Sequence, residues 1–228
     1  QGDRGLVSEC EWRALEFASD PLKEDTELIL ALLQQSAGVL EFAYASLRGD
    51  RGLMERAVAV RGEALEFATH EVRADRAVVE AAVVQNWQAL QWAEGGLQKD
   101  RDIVLRAALQ DAGALEYASE EFLADKDAVL QVVLRDGRAL QRVAEELQGD
   151  REVVLAAVRS NWMALRWASG ELRGDREIVL AAVRQHGWAL EYASDELFSD
   201  REVVLEAVKG DWNALQYADE ELRGDREV

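Results

Sequence analysis

The sequence predicts an all-α protein, an α-solenoid of about nine 25-residue two-helix repeats, and three observations carry that prediction. Asp25, Asp50, Asp75, Asp100, Asp125, Asp150, Asp175, Asp200 and Asp225 stand 25 residues apart without a slip. Leu15, Leu40, Leu65, Leu90, Leu115, Leu140, Leu165, Leu190 and Leu215 keep the same spacing. Between the ladders the apolar residues recur at helical rather than strand period. The repeats begin near Asp3, Asp25, Asp50, Asp75, Asp100, Asp125, Asp150, Asp175 and Asp200, with a partial one from Asp225, and form a single array over residues 1–228.

The first element of each repeat is a helix opened by its Asp. After Asp150, the residues Val153, Val154, Ala157 and Val158 recur at i, i+1, i+4 and i+5. An Asp just before such a stripe is a favoured N-cap, because its carboxylate accepts from an orphan amide and complements the positive helix end. The second helix has cap candidates at Ser36, Asn86, Asp111, Asp136, Asn161 and Asp211, with Arg61 and His186 as exceptions. Its inward stripe is Ala164, Leu165, Ala168 and Leu172, extended by Trp167. Gly149, Gly174 and Gly224 precede the next Asp, where a left-handed glycine can end a helix.

Helices of about ten residues are marginal alone, so each repeat must bury its stripe against its neighbours, the defining property of a solenoid. The first repeat is irregular, since Asp3 lies only 12 residues before Leu15, and reads as a capping unit. The chain starts without Met and stops at GDREV, where a tenth repeat would begin, so it is read as a piece of a longer protein.

Seventeen residues after the Asp stand Phe42, Phe67, Trp92, Tyr117, Trp167, Tyr192 and Tyr217, with Phe17 at the matching place and Arg142 interrupting. Beside them lie Ala43, Ala68, Ala93, Ala118, Ala168, Ala193 and Ala218. Aromatic against small residue reads as core packing between repeats.

The formal net charge is −19, from 45 acidic and 26 basic residues. Such a surface repels phosphate, which argues against nucleic acid and anionic membranes as partners. Glu116, Glu120 and Glu121 recur as Glu191, Asp195 and Glu196, and as Gln216, Glu220 and Glu221, forming one ridge. A basic row stands next to the caps at Arg51, Arg76, Arg101, Lys126, Arg151, Arg176, Arg201 and Arg226. These rows are either a solvated, ion-paired surface or a ridge that receives a basic partner. Cys10 is the only cysteine, which excludes a disulfide framework and a thiolate metal site and favours a reducing intracellular or organellar compartment over secretion. No apolar run reaches the ~18 residues of a membrane span.

No catalytic, cofactor-binding or metal-binding constellation stands out. His70 and His186 occupy unrelated places in the repeat, no Ser or Cys sits in a nucleophile motif, and the Gly95 and Gly96 doublet, placed within a second helix, has no strand before it. The candidate partner-binding residues are instead Trp87, Trp162, Trp188 and Trp212, which with Trp12 lie at or one residue beyond the turn between the two helices. Tryptophan is a favoured interface anchor; the other reading is that the rings fold back over the neighbouring repeat. Ala37, Ala112, Gly62, Gly137 and Gly187 occupy the same turn elsewhere, so large and small residues alternate irregularly. Trp12, Trp87 and Trp162 are three repeats apart, but Trp188 and Trp212 break that series, which has no assigned meaning in sequence.

The phrases DREVVLAAV, DREIVLAAV and DREVVLEAV, followed by WxALxxA and an acidic-Leu ending, resemble the short helical repeats of domain of unknown function 4116. The resemblance implies tandem helical repeats, often in long arrays of protist and bacterial proteins, without an established activity, catalytic residue or cofactor. The first repeat and the DTELILALL segment depart from it. The expected function is a non-enzymatic, protein-binding scaffold or accessory subunit of a larger assembly, with no cofactor. Its partners would be proteins with a basic surface. The alternative is a targeting or regulatory segment of a longer multidomain protein whose catalytic domain lies outside this chain.

Overall fold

The computed structural model describes residues 12–225, so the irregular start at Asp3, Cys10 and Arg226 lie outside the described residues. The described residues are 76% helical, and among them there is no strand. The chain packs as two compact bodies, Gln1–Tyr117 and Ala118–Val228, and the same repeat is built in each.

Each repeat opens with an α-helix. In the first body these are α1 Thr26–Leu33, α2 Arg51–Val60, α3 Arg76–Gln85 and α4 Arg101–Ala108. In the second they are α5 Lys126–Arg135, α6 Arg151–Ser160, α7 Arg176–Val183 and α8 Arg201–Gly210. All eight are capped by the expected Asp: at α6, Asp150 Oδ1 accepts from the Glu152 and Val153 amides at 3.0 and 3.2 Å. The stripe read from sequence faces inward, since Val153, Val154, Ala157 and Val158 are fully buried, as are Val78, Val79, Ala82 and Val83 in α3. Burying one such side chain is worth about 1.5–3 kcal/mol, and no single repeat can supply that burial alone.

The second helix is divided. It is a 3₁₀ segment, as in Gly62–Phe67, Trp87–Trp92 and Trp162–Trp167, then a break, then a short closing turn such as His70–Arg73 or Leu172–Gly174. Two physical causes account for this. The buried Leu165 and Ala168 are three residues apart, the period of a 3₁₀ helix, and the Ala168 amide bonds the Leu165 carbonyl at 3.2 Å. The next amide, Ser169 N–H, is drawn out of the helix by the Gln148 carbonyl of the preceding repeat at 2.9 Å. The same 21-residue backbone bond joins Thr69 to Arg48, Glu94 to Arg73, Ala144 to Leu123, Ser194 to Arg173 and Asp219 to Phe198. An intra-repeat bond is thus exchanged for one that holds two repeats together, and the backbone stays satisfied.

The glycine expectation is corrected. Gly149 and Gly224 have φ of −97° and −92°, not left-handed values, because the chain leaves each closing turn through the extended capping Asp. Gly174 is small for another reason: a Cβ there would lie 3.1 Å from Ser194 Oγ of the next repeat. The left-handed glycines are Gly95 and Gly96, at φ 61° and 83°. They interrupt the second helix rather than lie within it, and lead into the turn Leu97–Lys99.

The basic row does more than neutralise its own repeat. Five of these cations reach 24 residues ahead to the cap of the next helix: Arg51 to Asp75 at 3.2 Å, Arg76 to Asp100 at 2.6 Å, and Lys126 to Asp150, Arg151 to Asp175 and Arg176 to Asp200 at 2.8 Å. Arg201 meets Asp225 at 3.5 Å. At Asp150, Asp175 and Asp200 one oxygen caps its own helix while the other receives the staple from the preceding repeat. The carboxyls of Asp100, Asp150 and Asp200 are held below the usual range by Arg76, Lys126 and Arg176 first, and by the helix amides they cap. At Asp175 partial burial is the largest influence and works upward, but Arg151 and the Ile178 and Glu177 amides overcome it.

Leu165 is fully buried, and Leu165→Ala is expected to cost about 2–5 kcal/mol in denaturant unfolding; a neutral change would place the core elsewhere. Because Asn is also a good cap, Asp200→Asn should lose only the staple, up to about 1 kcal/mol, while Asp200→Ala should lose about 1 kcal/mol more. Carboxyls whose folded pKa is depressed stabilise above their unfolded value near 3.9 and lose that stability as pH falls through the folded value. Thermal unfolding of the wild type should therefore weaken steeply below about pH 4, and less steeply in Asp200→Asn; identical acid limbs would contradict the staple.

Candidate functional site

The turn between α-helix and 3₁₀ segment places Trp87 on the turn edge of the first body and Trp162, Trp188 and Trp212 on that of the second. The caps that position this turn are the expected ones. Ser36, Asn86, Asp111, Asp136, Asn161 and Asp211 each accept from the amide two residues on. His186 was expected to be an exception and is not: its Nδ1 accepts from the Trp188 amide at 3.3 Å. Arg61 does not cap. Its guanidinium reaches back to the Leu33, Gln34 and Gln35 carbonyls at the end of α1, at 2.9, 2.8 and 3.2 Å.

The rings differ in what they cover. Trp87 lies over Gly113 of the next repeat, where a Cβ would come within 3.2 Å of the indole, and Trp12 lies over Gly38 in the same way. Trp162 stacks on His186 with centroids 4.8 Å apart and on Tyr192 at 6.3 Å. Trp188 meets Tyr217 edge-on at 6.3 Å and donates its indole N–H to Asp211 Oδ2 at 2.5 Å. Trp212 is 75% exposed, against 37% for Trp188, and borders an open groove of about 390 Å³ with Asn213, Leu215, Gln216 and Arg223.

The aromatics at position 17 belong to this edge rather than to the core. Phe42, Tyr192 and Tyr217 are half-buried beneath Trp12, Trp162 and Trp188, while the neighbouring Ala43, Ala193 and Ala218 are buried. The expectation of core packing is corrected accordingly; Phe17 is exposed, and so is Arg142. Local chemistry follows from the contacts. The Asn213 backbone amide, then its side chain and the Trp188 indole, hold the Asp211 carboxyl below its ordinary range. Burial and the Glu191 carboxylate push the Tyr217 hydroxyl up.

The irregular alternation at this turn has a structural counterpart that sequence reasoning missed. Where the turn carries Trp12, Trp87 or Trp162, the following helix in the same body, α1, α4 or α7, has eight residues. Where it carries Ala37, Gly62, Gly137 or Gly187, the following α2, α3, α6 or α8 has ten. The hydrogen bonds change with the length. In the short helices the amides of Gln35, Gln110 and Gln185 close 3₁₀-type bonds to Leu32, Ala107 and Ala182 at 2.9, 2.9 and 3.0 Å. In α3, α6 and α8 the turn glycine of the preceding repeat presses on the helix end, and a Cβ at Gly62 would lie 2.5 Å from the Ala82 carbonyl. The sequence signal is partial: Gln35, Gln110 and Gln185 follow the three tryptophans at one fixed distance, but Gln85 follows Gly62 at the same distance and ends a ten-residue helix.

His70 and Arg73 both engage Glu94, and among the described residues no group of three or more His, Cys, Asp or Glu could hold a metal ion. No helix among them is long and apolar enough to cross a membrane. The acidic ridge is different in kind from the caps. Glu116, Glu120, Glu121, Glu191, Asp195, Glu196, Glu220 and Glu221 are all exposed, and none forms one of the ion pairs that consume the basic row.

Trp162→Ala, which strips a ring from His186 and Tyr192, is expected to cost about 1–3 kcal/mol, and Trp212→Ala less than about 0.5 kcal/mol. Urea unfolding of both variants measures the difference; equal losses would show that the two rings are packed alike.

The family described as a domain of unknown function, DUF4116, matches residues 75–123, 125–173, 150–198 and 175–223. No curated protein and no solved structure matches the chain. The overlapping matches begin at capping Asp residues and advance by 25 or 50, the step of the observed repeat. With most of its length covered in tandem, the chain belongs to the DUF4116 family of helical repeats.

Proposed function

We propose that this protein is a non-enzymatic scaffold or accessory subunit that binds a protein partner through its acidic ridge. The observation that carries the reading is the unequal use of charge. Most of the cations next to the caps are spent on joining repeats, whereas the ridge carboxylates, repeated 75 residues apart as Glu116, Glu120 and Glu121 and as Glu191, Asp195 and Glu196, stay exposed and meet no cation among the described residues. With a net charge of −19, such a row attracts a basic protein surface and repels phosphate. Electrostatic complementarity of this kind governs the rate and selectivity of association more than its strength. Of the four tryptophans proposed as anchors, Trp188 and Trp212 offer accessible rings, while Trp87 and Trp162 support the edge by packing on the next repeat.

Affinity capture from the source cell, read by mass spectrometry, tests this. The wild type should retain a defined set of basic partners that is lost when Glu120, Glu121, Asp195 and Glu196 are changed together to Gln or Asn, with thermal stability changed by less than about 1 kcal/mol. The bound fraction should also fall as salt rises from about 0.05 to about 0.3 M, because the Debye length shrinks from about 14 to about 6 Å. An unchanged partner set would contradict the ridge as the binding surface.

A further inference from the structure

The tryptophan edge and the acidic ridge meet at one place in the second body. The exposed Trp188 and the half-buried Tyr217 of the next repeat stand edge-to-face, 6.3 Å apart at 71°. Each ring adjoins a carboxylate. The Trp188 indole N–H donates to Asp211 Oδ2 at 2.5 Å. The Tyr217 hydroxyl is pushed up by burial and then by the Glu191 carboxylate, which places this exposed member of the ridge at the ring pair. Two aromatic walls at a steep angle with carboxylates on their rims form an acceptor for an organic cation, since the ring faces attract it through their quadrupole and the carboxylates through their charge. Tyr192, with a further repeat packed behind it, is half-buried too, so the accessibility of such a ring is a property of the edge.

The chain itself shows which cation suits such a pair. At the turn edge of the first body Trp12 and Phe42 lie 6.1 Å apart, and the Arg13 guanidinium rests over the Trp12 ring, 5.3 Å from its centroid. Glu16 holds there the repeat position of Glu191. Trp188 is followed instead by the buried Ala189, and among the described residues no cation lies over its ring. The other turn tryptophans differ. His186 stacks on Trp162, and Arg166 stands in the repeat position of Glu191. Trp87 covers Gly113, and Gln91 takes the carboxylate's place. A planar guanidinium can stack on an indole while its N–H fork donates to a carboxylate at the ring's rim; a compact ammonium cannot do both.

We infer that Trp188, Tyr217, Glu191 and Asp211 form a recognition site for an arginine side chain of the partner, with the guanidinium stacked on the Trp188 ring and donating to Glu191. Asp211 already accepts from the Trp188 indole and from Asn213, so it holds the indole in place and adds negative charge beneath the site, while Glu191 is the principal acceptor. The inference rests on the basic partner of the acidic-ridge reading and names the group by which that partner is held.

The test titrates the full chain with a blocked tri-arginine peptide near neutral pH and at low salt, where surface charge is least screened, and follows the Trp188 indole N–H resonance. The peptide should shift that resonance and bind about two- to fivefold tighter than blocked tri-lysine. Trp188→Leu and Glu191→Gln should each weaken binding about two- to fivefold, and Glu191→Gln should do so with thermal unfolding unchanged. The variant with Glu120, Glu121, Asp195 and Glu196 neutralised together should keep the Trp188 shift. Should that variant also keep its natural partners while Trp188→Leu and Glu191→Gln lose them, the ridge reading fails and the arginine site stands. Peptide shifts confined to the ridge and indifferent to Trp188→Leu and Glu191→Gln would overturn the site and leave the ridge. Equal binding of tri-lysine would overturn the assignment to arginine.

Discussion

One carboxylate per repeat carries the architecture. The Asp that opens each α-helix uses one oxygen to satisfy that helix's first amides and, at Asp150, Asp175 and Asp200, the other to accept the cation of the repeat before it. Capping is a local interaction and stapling a non-local one, and both converge on the same side chain at 23–27% exposure. The helix start and the spacing between repeats are therefore fixed together. An insertion or deletion between two Asp residues would break both at once, which is why the 25-residue period holds without a slip.

A second coupling runs through the backbone. The 3₁₀ segment ends where an amide leaves its own helix for the carbonyl of the preceding repeat, 21 residues back. Fully buried leucines beneath this bond supply the hydrophobic driving force, and the bond fixes the register in which they meet. Stability of this kind sums over nearest neighbours. The turn tryptophans add a longer rhythm. Where they lie over the next repeat its helix has eight residues, and where Ala37 or a glycine holds the same turn it has ten.

Much of this was legible in the sequence. The Asp and Leu ladders gave the period, the caps and the buried stripe, because those depend on residue type at fixed spacing. The basic row was also visible, but its partners were not. Arg151 is adjacent to Asp150 in sequence, and only the packing of α6 against α7 brings it to Asp175. The division of the second helix was hidden for a similar reason: the bond from Ser169 to Gln148 belongs to neither repeat alone. The left-handed Gly95 and Gly96 read as helix interior because the pattern around them is intact. At the candidate edge, Trp87, Trp162, Trp188 and Trp212 were all legible as a set, yet only burial separates the packed rings from Trp212.

The account depends most on the claim that the capping Asp couples adjacent repeats. A double-mutant cycle on Arg176 and Asp200, with Arg176→Gln and Asp200→Asn measured singly and together by urea unfolding at low ionic strength, tests it directly. The account predicts a favourable coupling energy of about 0.5–1 kcal/mol that shrinks as salt is added. Strictly additive losses at low salt would contradict it.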